Sequence, residues 1–320
     1  MSEGFDRLAV RYVPGNRSSQ FGPIGTLSEQ RERRVRPAGR ASCGGCSEGI
    51  EVNRFQKAFV LRILFIGDIV GSPGRKIVHE RLADILTQRE IDLCIANGEN
   101  SASGFGITPK IAQDLFTCGI EVLSGGNHIW DRREIIEFFP HEPRLLRPAN
   151  FPEGSPGSGL YVGRAKSGVG YAVLNVQGRT YMTPIEDPFR TATRELARIP
   201  SEVKVILVDM HAEATSEKQA MGWYLDGKVS AVVGTHTHVA TADYRVLPGG
   251  TAYITDVGMT GPHDSVIGMD KKGVLQRFLD AMPARFVVAE GDIQMNTVLI
   301  DVDESTGRAR SIERLNFRLD

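Results

Sequence analysis

Cysteine is scarce: four in 320 residues is too few for a disulfide framework and fits a reducing compartment. Apolar runs are short. None approaches the ~18–20 residues that a membrane-crossing helix requires, so no membrane association is expected. Net charge is nearly absent, at −1, which removes any whole-chain electrostatic pull toward nucleic acid or membrane surfaces. An apolar segment of signal-peptide type is also missing near Met1, so a cytoplasmic protein is expected. The sequon Asn16-Arg17-Ser18 then carries no meaning.

An ordinary core is within reach, since 41% of the residues are hydrophobic. The chain divides unequally. Residues 1–60 hold ten Lys+Arg against six Asp+Glu, a balance of +4, leaving −5 for the remainder. The run Arg31-Glu32-Arg33-Arg34-Val35-Arg36 lies among Gly, Ser and Pro and has no apolar period. Such composition cannot offset its ordering entropy, so 1–60 reads as a disordered basic extension and 61–320 as the folded domain. Cys43-Gly44-Gly45-Cys46 has metal-ligand spacing, but a structural zinc site needs four ligands and no second pair follows nearby. The pair reads as incidental.

From Leu61 the pattern is ordered. A buried strand over 61–66 leads to an amphipathic helix from about Pro73, with Val78, Leu82, Ile85 and Leu86 on one face. A strand at 91–96, a helix near 108–117, a strand at 121–124 and a helix near 131–138 continue the alternation. Hairpin strands at 159–164 and 170–176 interrupt it. A helix at 188–198, a strand at 203–209, a helix at 216–225 and a strand at 229–233 resume it. The end is β-rich, at 243–247, 251–255, 293–302 and 308–318, with one helix at 271–280. These patterns predict an α/β domain with two sheets covered by helices.

Polar clusters recur where predicted strands end: Gly67-Asp68, Asn97-Gly98-Glu99-Asn100, Gly125-Gly126-Asn127-His128, Asp209-Met210-His211 and Gly234-Thr235-His236-Thr237-His238. In α/β sheets the carboxyl ends of strands share one edge, so distant residues can converge there. Each residue has an ordinary use on its own: Asp68 as a helix cap, Asn127 in a turn, His211 in the core. Five clusters at five strand ends shift the balance toward a metal site. Carboxylate, amide oxygen and imidazole without thiolate favour manganese, iron or zinc. His236 and His238 would point the same way if the segment were extended. His79, His141 and His263 read as surface or loop residues, with His263 the nearest to an exception.

The order GD, GEN, GNH, a lone His, then GTHTH resembles the calcineurin-like metallophosphoesterase superfamily. The first motif departs from it, with Asp68-Ile69-Val70 where Asp-x-His is usual, and the second has Glu99-Asn100 where Asp is usual. Both departures match a bacterial branch of 2′,3′-cyclic-nucleotide 2′-phosphodiesterases. Its similarity runs from Leu61 nearly to the C-terminus, through Gly67-Asp68-Ile69-Val70-Gly71-Ser72-Pro73-Gly74-Arg75, Asn97-Gly98-Glu99-Asn100-Ser101 and His211-Ala212-Glu213-Ala214-Thr215-Ser216-Glu217-Lys218.

The resemblance implies a four-layer αββα sandwich of two mixed sheets. It implies two metal ions, one held by Asp68, Asn100 and His238 and the other by Asn127, His211 and His236, with Glu99 bridging. It further implies hydroxide shared by the two ions as the attacking group, and His128 as proton donor to the leaving oxygen. Asp131, three residues on, could orient that ring. The substrate expected is a small phosphodiester nucleotide. The alternatives are a phosphomonoesterase or phosphoprotein phosphatase, and an RNA-associated regulatory protein with a vestigial site. RNA contact by the basic extension and self-association both stay open.

Overall fold

A computed structural model of the chain describes residues 59–319. The expected extension, apart from Phe59 and Val60, and the Cys43/Cys46 pair lie outside the described residues. The elements in chain order are β1 (Val60–Ile66), α1 (Gly71–Gln88), β2 (Leu93–Asn97), α2 (Pro109–Thr117), β3 (Val122–Ser124), β4 (Leu160–Arg164), β5 (Gly170–Gln177), α3 (Pro188–Leu196) and β6 (Val205–His211). There follow α4 (Thr215–Leu225), β7 (Ala231–Thr235), β8 (Arg245–Val246), β9 (Ala252–Ile254), β10 (Thr260–Pro262), α5 (Lys271–Asp280), β11 (Ile293–Asp303) and β12 (Ala309–Arg318). Helix starts follow local chemistry: Thr108 and Asp187 accept from the first backbone N–H groups of α2 and α3, and Pro follows each.

The strands form two sheets. One has the order β10-β11-β1-β2-β3, with β12 paired to β11; the other runs β4-β5-β6-β7-β9-β8. Both are mixed: β1, β2 and β3 are parallel, as are β5, β6, β7 and β9, while hairpins close the edges. The period of two in β1 divides its burial between two cores. Leu61, Ile63 and Phe65 face Val173, Leu207 and Val233 of the other sheet. Leu64 and Ile66 face Ile77 and Leu82 of α1 and Leu115 of α2. Beyond the second sheet, Leu174, Val208 and Met210 pack with Ala192 of α3 and with Met221 and Leu225 of α4. Helix, sheet, sheet, helix: these are the four layers expected.

The helix expected over 131–138 is not there; two short 3₁₀ turns, Arg133–Ile135 and Phe139–His141, take its place. Arg132 is extended, and its guanidinium donates to the carbonyls of Ala102 and Phe105. Asp131 is engaged by His128, and Pro140 has no N–H to give. β10 carries no sequence signal at three residues. β6 and β7 each run two residues further than their apolar runs suggest, which makes His211 and Thr235 strand-terminal. No helix among the described residues is long and apolar enough to cross a membrane.

Candidate metal centre

The carboxyl ends of β1, β2 and β3 in one sheet and of β6 and β7 in the other face a common point, and all seven candidate ligands reach it. Asp68 follows β1, Glu99 and Asn100 follow β2, Asn127 follows β3, His211 ends β6, and His236 and His238 follow β7. Asp68, Glu99, Asn100 and His211 are buried. Gly126 makes the approach feasible: a Cβ there would collide with His211 Nε2 and Glu99 Oε2.

His211 Nε2 is the hub. It lies 3.0 Å from Asn127 Oδ1, 3.1 Å from His236 Nδ1 and 3.1 Å from Glu99 Oε1. Glu99 Oε1 also accepts from Asn100 Nδ2 at 3.3 Å, so this carboxylate stands between two groups of donors. In the second group Asn100 Nδ2 is 3.1 Å from His238 Nε2, and His238 Nε2 is 3.9 Å from Asp68 Oδ1. Asp68 Oδ1 and Asn100 Oδ1 are buried without a hydrogen-bond partner among the described residues. Two orphaned oxygens in one polar pocket need an explanation, and a cation among them supplies it. Glu99, His211 and His236 could by themselves hold an ion, their donor atoms all lying within 4.8 Å of one another. The residues therefore fit metal.

Electrostatics agree. Burial opposes a charge on His211, but Glu99, Asp68 and Asp209 outweigh it and draw the imidazole pKa upward. Burial would raise Glu99, and His211 and the His128 N–H hold it low instead. Burial and the adjoining His211 push His236 down, keeping it a neutral electron-pair donor. Carboxylates dense enough to draw a proton onto His211 will draw a cation into its place.

His236 and His238 do not sit in an extended strand. Both backbones are left-handed, with φ of 99° and 64°, a geometry costing roughly 1–2 kcal/mol per residue. The intervening Thr237 is what holds this loop. Its N–H and hydroxyl both donate to Asp256 Oδ2, at 3.1 and 2.8 Å. Lys218 from α4 reaches the same oxygen at 2.6 Å, completing a buried ion pair.

The groups behind the ligands are the ones that sequence reasoning missed. The Thr235 hydroxyl donates to Asp209 Oδ1 at 2.7 Å and so accepts from His211 Nδ1 at 2.9 Å, which leaves Nε2 directed at the centre. Ser124 and Asn97 donate to the other Asp209 oxygen. Glu213 takes His236 Nε2 at 3.2 Å, and the Ile267 carbonyl takes His238 Nδ1 at 2.8 Å. Asn97, Asp209 and Thr235 stand in the strand-end clusters and Glu213 in the His211–Lys218 motif, but none was given this role; Ser124 and Ile267 had no signal.

His128 stands at the rim. Its backbone N–H donates to Glu99 Oε2 at 3.0 Å, its Nδ1 meets Asp131 Oδ2 at 2.9 Å, and its ring packs edge-on against Phe105. The Asp131 partnership is the one the spacing suggested. A cavity of about 470 Å³ opens here, lined by His128, Glu99, Asn100, His236 and His238 together with the apolar Phe105, Met269, Val274, Phe278 and Phe286. His263 is not part of the centre; its ring is tied between Gly261 O and Asn296.

Residues 64–315 match the family described as YmdB-like protein. The chain belongs to the YmdB-like family. It is 52% identical over 255 residues to a Bacillus subtilis (strain 168) protein named 2′,3′-cyclic-nucleotide 2′-phosphodiesterase, covering 80% of this chain and 96% of that one. Two crystal structures share the fold at TM-scores of 0.77. A Thermus thermophilus protein is 40% identical, over 81% of this chain and all of that one. A Mycoplasma pneumoniae protein titled a novel phosphatase is 32% identical, over 82% and 94%. Membership makes this chain a hydrolase with the metallophosphoesterase fold.

Proposed function

We propose that the chain hydrolyses 2′,3′-cyclic nucleotides to 3′-nucleotides at a dinuclear metal centre. The observation that carries this reading is the pairing of seven converging donor residues with a rim histidine backed by a carboxylate. The activity in the name of the B. subtilis relative supports it.

Asp68, Asn100 and His238 would hold one ion, Asn127, His211 and His236 the other, with Glu99 shared. Iron or manganese suits this oxygen- and nitrogen-rich set best, with zinc next. When bound, the ions supply Lewis acidity, lowering the pKa of water and neutralising phosphate charge. The chain's own residues do the rest. Asp209 and Thr235 fix His211, and Glu213 and Ile267 fix the other two histidines. Asp131 holds His128 Nδ1, leaving Nε2 to carry the proton handed to the 2′-oxygen as the P–O2′ bond breaks. The apolar wall of the cavity takes the base, and 470 Å³ is within the usual size of a ligand site.

The test is His128→Ala on metal-loaded enzyme. Ribose 2′-alkoxide needs a proton badly, so cyclic-nucleotide hydrolysis should slow by about 10²–10⁴. A p-nitrophenyl ester expels a stabilised phenolate and should lose far less, with metal content unchanged. Equal losses on both substrates would end the proton-donor role. Wild type preferring monoesters or phosphopeptides to cyclic nucleotides would overturn the substrate.

A further inference from the structure

A second cavity, of about 410 Å³, meets the first at His238 and Ile267 and runs along the last hairpin. Its floor follows from strand registry. Arg314, Asn316 and Arg318 alternate along β12 and so share one face, opposite Asn296 and Gln294 of β11. Among the described residues no carboxylate lines it. The floor amides are already committed: Asn316 donates to Gln294 and Asn296, and Asn296 donates to Met259 O. The His263 ring is tied into the same floor, between Gly261 O and Asn296.

The guanidinium groups are different. Arg310, on the same strand, is paired with Asp303. Neither Arg314 nor Arg318 has a carboxylate partner among the described residues, and Arg314 spends only one long hydrogen bond, on Thr241 O. Two unneutralised cations over a polar floor form an anion subsite beside a candidate metal ligand.

Ribose chemistry says which anion. With the cyclic phosphate at the metals and the base against the apolar wall, the branch left is C5′. The groove that shares His238 and Ile267 with the first cavity is an opening next to it. We propose that Arg314 and Arg318 bind the phosphate on the 5′-oxygen of the cyclic-phosphate nucleotide. The natural substrates are then 5′-phosphorylated, either as mononucleotides or as RNA 3′ ends closed by a 2′,3′-cyclic phosphate, whose terminal 5′-oxygen carries the internucleotide linkage. This inference rests on the function proposed above.

Full-length enzyme would be assayed on three substrates of one base: the nucleoside 2′,3′-cyclic phosphate, its 5′-phosphorylated form, and a dinucleotide ending in the cyclic phosphate. At low salt, kcat/KM should rise about 5- to 20-fold on adding the 5′-phosphate, chiefly through KM, and the gain should shrink with added salt. A gain on the dinucleotide as large or larger identifies RNA ends as substrates; a gain confined to the 5′-phosphorylated monomer identifies free nucleotides. Binding gives a readout apart from turnover: a nucleoside 3′,5′-bisphosphate should bind tighter than the 3′-monophosphate by a similar factor. The double variant Arg314→Ala/Arg318→Ala should bring the substrate and binding ratios close to one, and Arg314→Lys/Arg318→Lys should keep part of the gain, both with normal metal content. No gain on either extended substrate, or a gain that survives the alanine variant, overturns the subsite. No hydrolysis of any of the three by wild type would instead overturn the function on which it rests.

Discussion

The two halves of the proposed metal centre are built differently. Asn127, His211 and His236 lie within 3.1 Å of their neighbours, and His211 is backed by Thr235 and Asp209. Asp68, Asn100 and His238 form a looser group. Their shortest mutual contact is 3.1 Å, His238 stands 3.9 Å from Asp68, and two buried oxygens lack partners among the described residues. The first half is pre-arranged by protein hydrogen bonds. The second holds donor atoms whose needs the protein itself leaves unmet. Pre-arranged ligands bind with less loss of freedom, so the first half is expected to be the tighter site.

The comparison breaks most completely at Glu99, which touches both halves. Glu99→Ala should approach zero metal by elemental analysis and lose activity by about 10³-fold or more, as expected when a shared ligand and its charge are removed. Two ions retained in that variant would end the bridging assignment. Next come His211→Ala and His238→Ala, each expected to keep close to one equivalent. Dialysis of wild type against graded chelator should release metal in two steps, and the ion remaining in His238→Ala should resist longer than that in His211→Ala. Release in a single step, or the reverse order, would show the halves to be equivalent.

Smaller effects sharpen the contrast. Thr235→Val removes the hydroxyl that holds His211 and should weaken metal affinity by about 10–100-fold, all of it in the first half. A loss confined to the other ion would reverse the assignment of halves. Glu213→Gln should change affinity least, by a few-fold, because that carboxylate is half exposed and solvent can replace it. A titration of metal binding would separate these two; a Glu213 effect equal to that of Thr235 would mean burial does not set the scale.

The sequence made the candidate ligands legible and left the pairings behind them hidden. Asp68, Glu99, Asn127, His211 and His236 each follow or end an apolar run, so the local pattern marks the strand and then the polar residue. The sandwich was legible for the same reason, through runs such as Leu61–Ile66 and Val205–Val208. Asp209 stood in a strand-end cluster, but its partners Thr235, Ser124 and Asn97 come from other strands, and no local pattern announces them. Lys218 and Asp256 are 38 residues apart, and nothing near either announces a buried pair. The 131–138 segment has helical spacing, yet His128 claims Asp131, and the distant carbonyls of Ala102 and Phe105 claim Arg132, before a helix can start. Local pattern reports local structure. Buried polar pairing across the chain has no local pattern to report.

The register of β1 against β11 carries a consequence in time. Val60 pairs with Asp303, and Phe65 with Val298, so the strand leading to Asp68 is flanked by one of the last strands to be made. Asp303 follows His238 by 65 residues. At ribosomal speeds that is an interval of about 3–13 s in which the nascent chain already displays every proposed ligand. During that interval β1 has β2 on one side and nothing on the other. Asp68 itself is reached by earlier residues, its carbonyl by the Thr260 N–H and its carboxylate by the His236 N–H, but the strand that leads to it gains its second neighbour only when β11 has emerged and docked. Loading of the proposed ions is then expected to follow completion of this sheet, an order set by strand position.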